Sequence, residues 1–217
     1  MKRGLTILAL SLGAASPAAA QLAGMPVWNN PKGGTGVTIS GDFGKPNDNA
    51  GGGHAFGARA SVGLVNLQLT AGIASDNPSG ASNNGTSFGG DAAFRVIGGS
   101  LIPLSVNLQA GAARTTATGA PDLTTVTGAI GLSINVPTPG VSIEPYISPG
   151  IRYSKLSGVT GSGTSNFGFV IGANFGLGML GFHAAYDYTK LKASQGGGTA
   201  SVIGIGAHVA LKAPIGM

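Results

Sequence analysis

Ten stretches of this chain alternate apolar and polar residues with a period of two, and the connections between them alternate just as regularly between long and short. Long polar connections cover residues 45–53, 75–85, 115–122, 156–164 and 191–199, while short ones lie near 64–65, 99–102, 138–140 and 177–178. A period of two sends successive side chains to opposite faces of a strand, so each stretch predicts a strand with one apolar and one polar face. Consecutive hairpins with every long loop at one end describe an up-and-down meander. An even number of strands then returns both chain ends to the short-turn end. Two packed sheets have no reason to sort their loops by length in this way.

The faces can be read residue by residue. In the first stretch, residues 35–44, Val37, Ile39 and Phe43 oppose Thr38, Ser40 and Asp42. In the second, 54–63, Phe56, Ala58, Ala60 and Val62 oppose Arg59 and Ser61, and in the third, 66–74, Leu67, Leu69 and Ile73 oppose Gln68 and Thr70. The seventh, 141–155, sets Ile143, Ile147, Ile151 and Tyr153 against Glu144, Tyr146, Ser148 and Arg152. The ninth sets Phe182, Ala184, Tyr186 and Tyr188 against His183 and Asp187, and the tenth sets Ile203, Ile205, Val209 and Leu211 against His208 and Lys212. Strands of this length meet the requirement of roughly 9 to 11 residues for a tilted strand to cross a bilayer.

Several features place these strands in lipid. Lys2 and Arg3 precede an apolar run over residues 5–15, and Ser16-Pro17-Ala18-Ala19-Ala20 offers a small-residue cleavage site, so residues 1–20 read as a secretory signal. No apolar run reaches the roughly 20 residues of a spanning helix. Cysteine is absent, so an exported chain of this size has no disulfides to hold it. Only 9% of residues are charged and the mean hydropathy is +0.29, which suits a surface that meets acyl chains better than one that meets water. In hydrocarbon every backbone N–H and C=O must be paired, so membrane-length strands must close on themselves. The expectation is an all-β, antiparallel, up-and-down transmembrane barrel of about ten strands, with short periplasmic turns and long extracellular loops. Its parts are a signal peptide (1–20), a periplasmic N-terminal lead (21–34), the barrel (35–213) and a C-terminal tail (214–217). Aromatics near strand ends, among them Phe43, Phe56, Phe88, Tyr153, Phe167, Phe175 and Tyr188, are candidates for interfacial girdles. Of the formal charge of +5, two units belong to Lys2 and Arg3 and the rest is scattered, which leaves no footprint for nucleic acid.

The cleavable signal, residues 37–43, the stretch Pro145-Tyr146-Ile147-Ser148-Pro149-Gly150-Ile151-Arg152-Tyr153 and the stretch Phe182-His183-Ala184-Ala185-Tyr186-Asp187-Tyr188 together resemble the superfamily of bacterial outer-membrane β-barrels that includes OmpA-like and porin-like barrels. The resemblance implies a fold and a location in the cell outer membrane. It also implies outer-membrane lipid and the outer-membrane assembly machinery as partners. Members usually finish on an aromatic residue, whereas this chain continues past Leu211 to Ala213-Pro214-Ile215-Gly216-Met217.

Charge follows the pleat. Asp42, Arg59, Asp91, Arg95, Glu144, Arg152, Asp187 and Lys212 all fall opposite the large apolar residues, so the polar network expected to fill the lumen comprises these eight with His183 and His208. The two histidines sit at nearly mirrored positions about a loop centred on residues 194–196, which predicts that they face one another across a hairpin. Two imidazoles without a third ligand do not make a metal site, and neither metal nor cofactor is expected. The glycine runs 51–53 and 196–198 precede no helix, so they read as loop tips and not as phosphate cradles. About ten strands leave a narrow lumen, largely filled by side chains. A structural role or passive passage of small solutes is therefore expected. The alternatives are a module whose extracellular loops bind or adhere to a surface ligand, and a hydrolase at the membrane surface. For the last, His183 with Asp187, or His54 with Asp42 at the rim, are the available acid–imidazole pairs, and no nucleophile is identifiable beside them. No enzyme activity is expected.

Overall fold

The computed structural model describes residues 22–27, 33–98 and 102–211, so the predicted signal, Lys212 and the C-terminal tail lie outside the described residues. The strands are β1 (Gly36–Pro46), β2 (His54–Leu64), β3 (Leu67–Asn77), β4 (Gly85–Ile97), β5 (Leu104–Ala117), β6 (Leu123–Ile134), β7 (Val136–Thr138), β8 (Val141–Leu156), β9 (Thr164–Leu177), β10 (Leu180–Lys190) and β11 (Thr199–Leu211). β7 continues the line of β6 after a break at Asn135 and pairs with the start of β8, so β6 and β7 together form one membrane strand. Every neighbour is antiparallel. Pairing of β1 with β11, from Val37 opposite Leu211 to Pro46 opposite Val202, closes the ring. The result is a closed ten-strand up-and-down barrel.

Closure leaves no unpaired edge, and the pleat then assigns each side chain to lipid or lumen. Ile39, Phe56, Ile73, Phe88, Ile151, Phe167, Ile171 and Ile205 are among the large apolar side chains exposed on the outer wall, while Ser40, Asp42, Asn107, Glu144, Arg152, His183 and Asp187 are buried inside. Such an inversion of the usual soluble pattern has one solvent that satisfies it, the acyl chains of a bilayer. Aromatics collect at both ends of the wall. Near the long loops Phe43 lies 5.2 Å from Phe56, His54 adds an edge contact at 5.6 Å, and Phe169 stacks on Tyr188 at 4.9 Å. Near the short turns Phe175 pairs with Phe182 across β9 and β10.

The strands run further into the long-loop side than the alternation alone predicts. β3 continues to Asn77 and β1 to Pro46, because pairing persists beyond the apolar band. Three outer connections are also tied together. Asn47 and Asn49 donate from their side-chain amides to the Thr199 carbonyl, and Ser79 donates its backbone N–H to the Gly51 carbonyl. The bonds of Asn47 and Asn49 cover the β1–β11 seam.

At the opposite end, Leu64 pairs with Leu67 across a two-residue turn, and Val65 sits at φ 52°. A β-branched residue in the left-handed region costs about 1–2 kcal/mol, whereas asparagine tolerates it. Val65→Asn should therefore raise the unfolding free energy by about 1 kcal/mol in a urea titration of the vesicle-inserted protein.

Residues 22–27 depart from the expected periplasmic lead. Leu22, Ala23, Met25 and Pro26 are buried within the barrel, Met25 being 1% exposed. Six residues without a period of two carry no strand signal, and the sequence gives no register that would place them.

Candidate functional site in the barrel lumen

The lumen is built from small inward residues that leave room and polar ones that fill it. At mid-height Arg59 on β2 reaches Asp42 on β1 in a forked contact, Nε to Oδ2 at 2.6 Å and Nη2 to Oδ1 at 3.2 Å. His183 Nε2 donates to the same carboxylate at 2.6 Å, and its Nδ1 lies 3.2 Å from Nδ1 of His208, one ring donating to the other. The rings stack at 5.4 Å. β10 and β11 bring the two imidazoles together because Gly181 and Gly206 are their cross-strand partners. A Cβ at Gly206 would stand 2.2 Å from His183 Nε2, and one at Gly181 would stand 2.2 Å from His208 Nε2. The hairpin symmetry was therefore readable in the sequence, but the chain from Arg59 through Asp42 to both histidines needed the closure of β1 on β11.

A second ion pair lies higher. Arg152 on β8 donates to Asp187 and to the Thr189 hydroxyl on β10, across the intervening β9. Glycine at 168 makes the crossing possible, since a Cβ there would meet the Arg152 guanidinium at 2.8 Å. Toward the short turns, Glu144 accepts from the Ser133 hydroxyl at 2.6 Å and from Asn174 Nδ2 at 3.2 Å. Asp91 faces Thr70 across β3 and β4, and Arg95 donates to Asn66 Oδ1 in the β2–β3 turn at 2.7 Å. Asp42, Arg59, His183 and His208 thus form one cluster and Arg152 with Asp187 another. Glu144, Asp91 and Arg95 are held separately. His54 turns away from Asp42 onto the outer wall between Phe43 and Phe56, so the two do not form a rim pair. Among the described residues no group of three or more His, Cys, Asp or Glu side chains is arranged to hold a metal ion.

The feature that sequence reasoning missed is what lies above these pairs. Residues 22–27 cross the lumen as a bar. At one end the Ala23 N–H donates to Ser87 Oγ on β4, and at the other the Val27 N–H donates to Asp187 Oδ2 on β10. These two strands stand half-way round the ring from each other. Leu22 and Met25 pack with Ala55 and Ala74 on one wall, and Val27 packs against Tyr146, Val170 and Ala185 on the other. The walls are cut back to receive the bar. A Cβ at Gly44 would stand 2.0 Å from the Gly24 carbonyl oxygen and 3.2 Å from Met25 Sδ. Below the bar a cavity of about 790 Å3, lined in part by Arg59, Asp91, Gln109, Glu144 and His208, extends to Gly178 and Leu211 at the short-turn mouth.

No protein-family model and no curated protein matches this chain. Among solved structures it is similar to the β-domain of the Bordetella autotransporter BrkA, at 12% identity over 82% of this chain and 100% of that one, with a TM-score of 0.54. A bacterial polysaccharide outer membrane secretin (12% identity, TM-score 0.49) is matched over 74% of this chain, which spans only 57% of the secretin's length. Neisserial surface protein A is matched over 82% of this chain and 98% of its own, at 11% identity and a TM-score of 0.39. At these identities the autotransporter domain establishes likeness of fold. With its lipid-facing wall and closed ring, the chain has the architecture of an outer-membrane β-barrel.

Proposed function

We propose that the protein serves a structural role in the outer membrane, a non-enzymatic barrel that holds its long loops at the surface over a lumen shut at rest. The observation that carries this reading is the bar of residues 22–27, bonded to Ser87 and Asp187 on opposite walls. Paired charges below it support the same reading. A buried ion is held by its partner, and breaking that pair costs several kcal/mol. Both oxygens of Asp42 are engaged by Arg59 and His183, which favours lumen filling over acid–base chemistry. Planar-bilayer recordings of the full refolded chain test the proposal. The expected result is an unbroken baseline at moderate voltage, and discrete, steady openings would overturn it.

A further inference from the structure

The bar and the barrel wall make contact in an asymmetric way. At Gly44 the three atoms nearest to an added Cβ are the Gly24 carbonyl oxygen, the Gly24 carbonyl carbon and Met25 Sδ, all belonging to the bar. The wall leaves this space open. Gly57, one strand away, also faces the bar, its Cβ position 3.3 Å from Met25 Cε but as close to Ile73 and Ala74 of the neighbouring strand. The bar is joined along the chain to β1 through residues 28–35, and its hydrogen bonds to Ser87 and Asp187 are to side chains and not to a strand ladder. No strand of the ring includes it, so it can leave without breaking the β-pairing.

Taking it away would extend the 790 Å3 cavity toward the long-loop end, where Ala50 and Leu191 pack on Ala200 and Val202. The charges along that path are unequal among the described residues. Asp42, Asp76, Asp91, Glu144 and Asp187 point inward, against Arg59, Arg95 and Arg152. Asp76 stands at the bar itself, its Cβ 3.4 Å from the position of a Cβ on Gly24. In a narrow channel an excess of fixed carboxylates raises the local concentration of cations and repels anions.

We propose that residues 22–27 are a displaceable plug and that the lumen they close is a pathway for small cations. The inference rests on the reading of a barrel shut at rest and adds to it a route that opens. Gly44→Ala places a methyl group against the plug backbone while the wall accommodates it, and deletion of residues 22–27 removes the plug outright. Gly41→Ala is the control, because nothing lies within 4 Å of a Cβ there. Each variant is checked for barrel closure by its heat-modifiable gel mobility and then recorded in a planar bilayer under a KCl gradient. Discrete openings in the Gly44→Ala and deletion variants, with a reversal potential shifted toward that of K+, are expected, and none in the native chain or in Gly41→Ala. A closed deletion barrel that stays silent, or one that prefers Cl−, overturns the inference while leaving the proposed structural role standing. Native openings overturn that role, and the plug is then judged by whether deletion increases the current. Met25→Cys supplies a test independent of folding losses in the other variants, since the chain has no other cysteine. A polar maleimide added to intact vesicles should label it at least tenfold more slowly than a cysteine at Asn83 in an outer loop. Equal rates would place the segment outside the lumen and overturn the plug.

Discussion

Arg152→Met is expected to destabilise the barrel by about 3–5 kcal/mol, the usual cost of stripping one partner from a buried ion pair. Arg152 is 3% exposed, and its partners Asp187 and Thr189 are each 2% exposed. Methionine keeps much of the side-chain length but leaves a carboxylate inside the wall without its cation. The double replacement Arg152→Met with Asp187→Leu should be less destabilised than Arg152→Met alone, because an apolar pair of similar volume removes the stranded charge. Urea unfolding of the three proteins in lipid vesicles measures both effects. An Arg152→Met barrel within about 1 kcal/mol of native stability would mean that the pair is bathed in water, contrary to its burial.

Ile171→Arg should cost about 2–4 kcal/mol, the penalty for a cation on the lipid face of a barrel near the bilayer midplane. Ile171 lies half-way along β9, flanked by Ile147 on β8 and Tyr186 on β10, and is 51% exposed. In a water-soluble protein a side chain so exposed could be made charged at little cost. The same substitution at Leu180, beside the short turn that opens β10, should cost about 0–1 kcal/mol, because arginine there reaches the interface. The difference between the two sites reports the depth of each in the bilayer, read from the same unfolding titration.

The barrel was legible because its physics is local and repetitive. Side chains alternate along each strand, so Ile143, Ile147 and Ile151 could be assigned to lipid and Glu144 and Arg152 to the lumen before any pairing was known. The orientation of His54 was available from the same parity, since it shares a face with Phe56 and Ala58. The contents of the lumen were less legible because they depend on pairs distant in sequence. Asp42 and His183 meet only when the first strand closes on the last, and Asp187 meets Arg152 across an intervening glycine. Asp76 fell in an expected loop, because strand pairing outlasts the apolar band. Residues 22–27 were the hardest to place. Leu-Ala-Gly-Met-Pro-Val has neither strand period nor cap, and its position is written instead in the inward glycines at 44 and 57 that make room for it.

Everything depends on which side of the wall each residue faces. A cysteine-free chain allows a nitroxide label to be placed at each position from 126 to 130 on β6 in turn, with collisional quenching by oxygen and by a polar nickel chelate measured in vesicles. Thr127 and Ala129 line the lumen cavity, whereas Val126 and Ile130 are exposed on the outer wall. Oxygen should dominate at 126, 128 and 130, and the nickel chelate at 127 and 129. Quenching without a period of two, or with its phase reversed, would contradict a lipid-facing barrel with a polar interior.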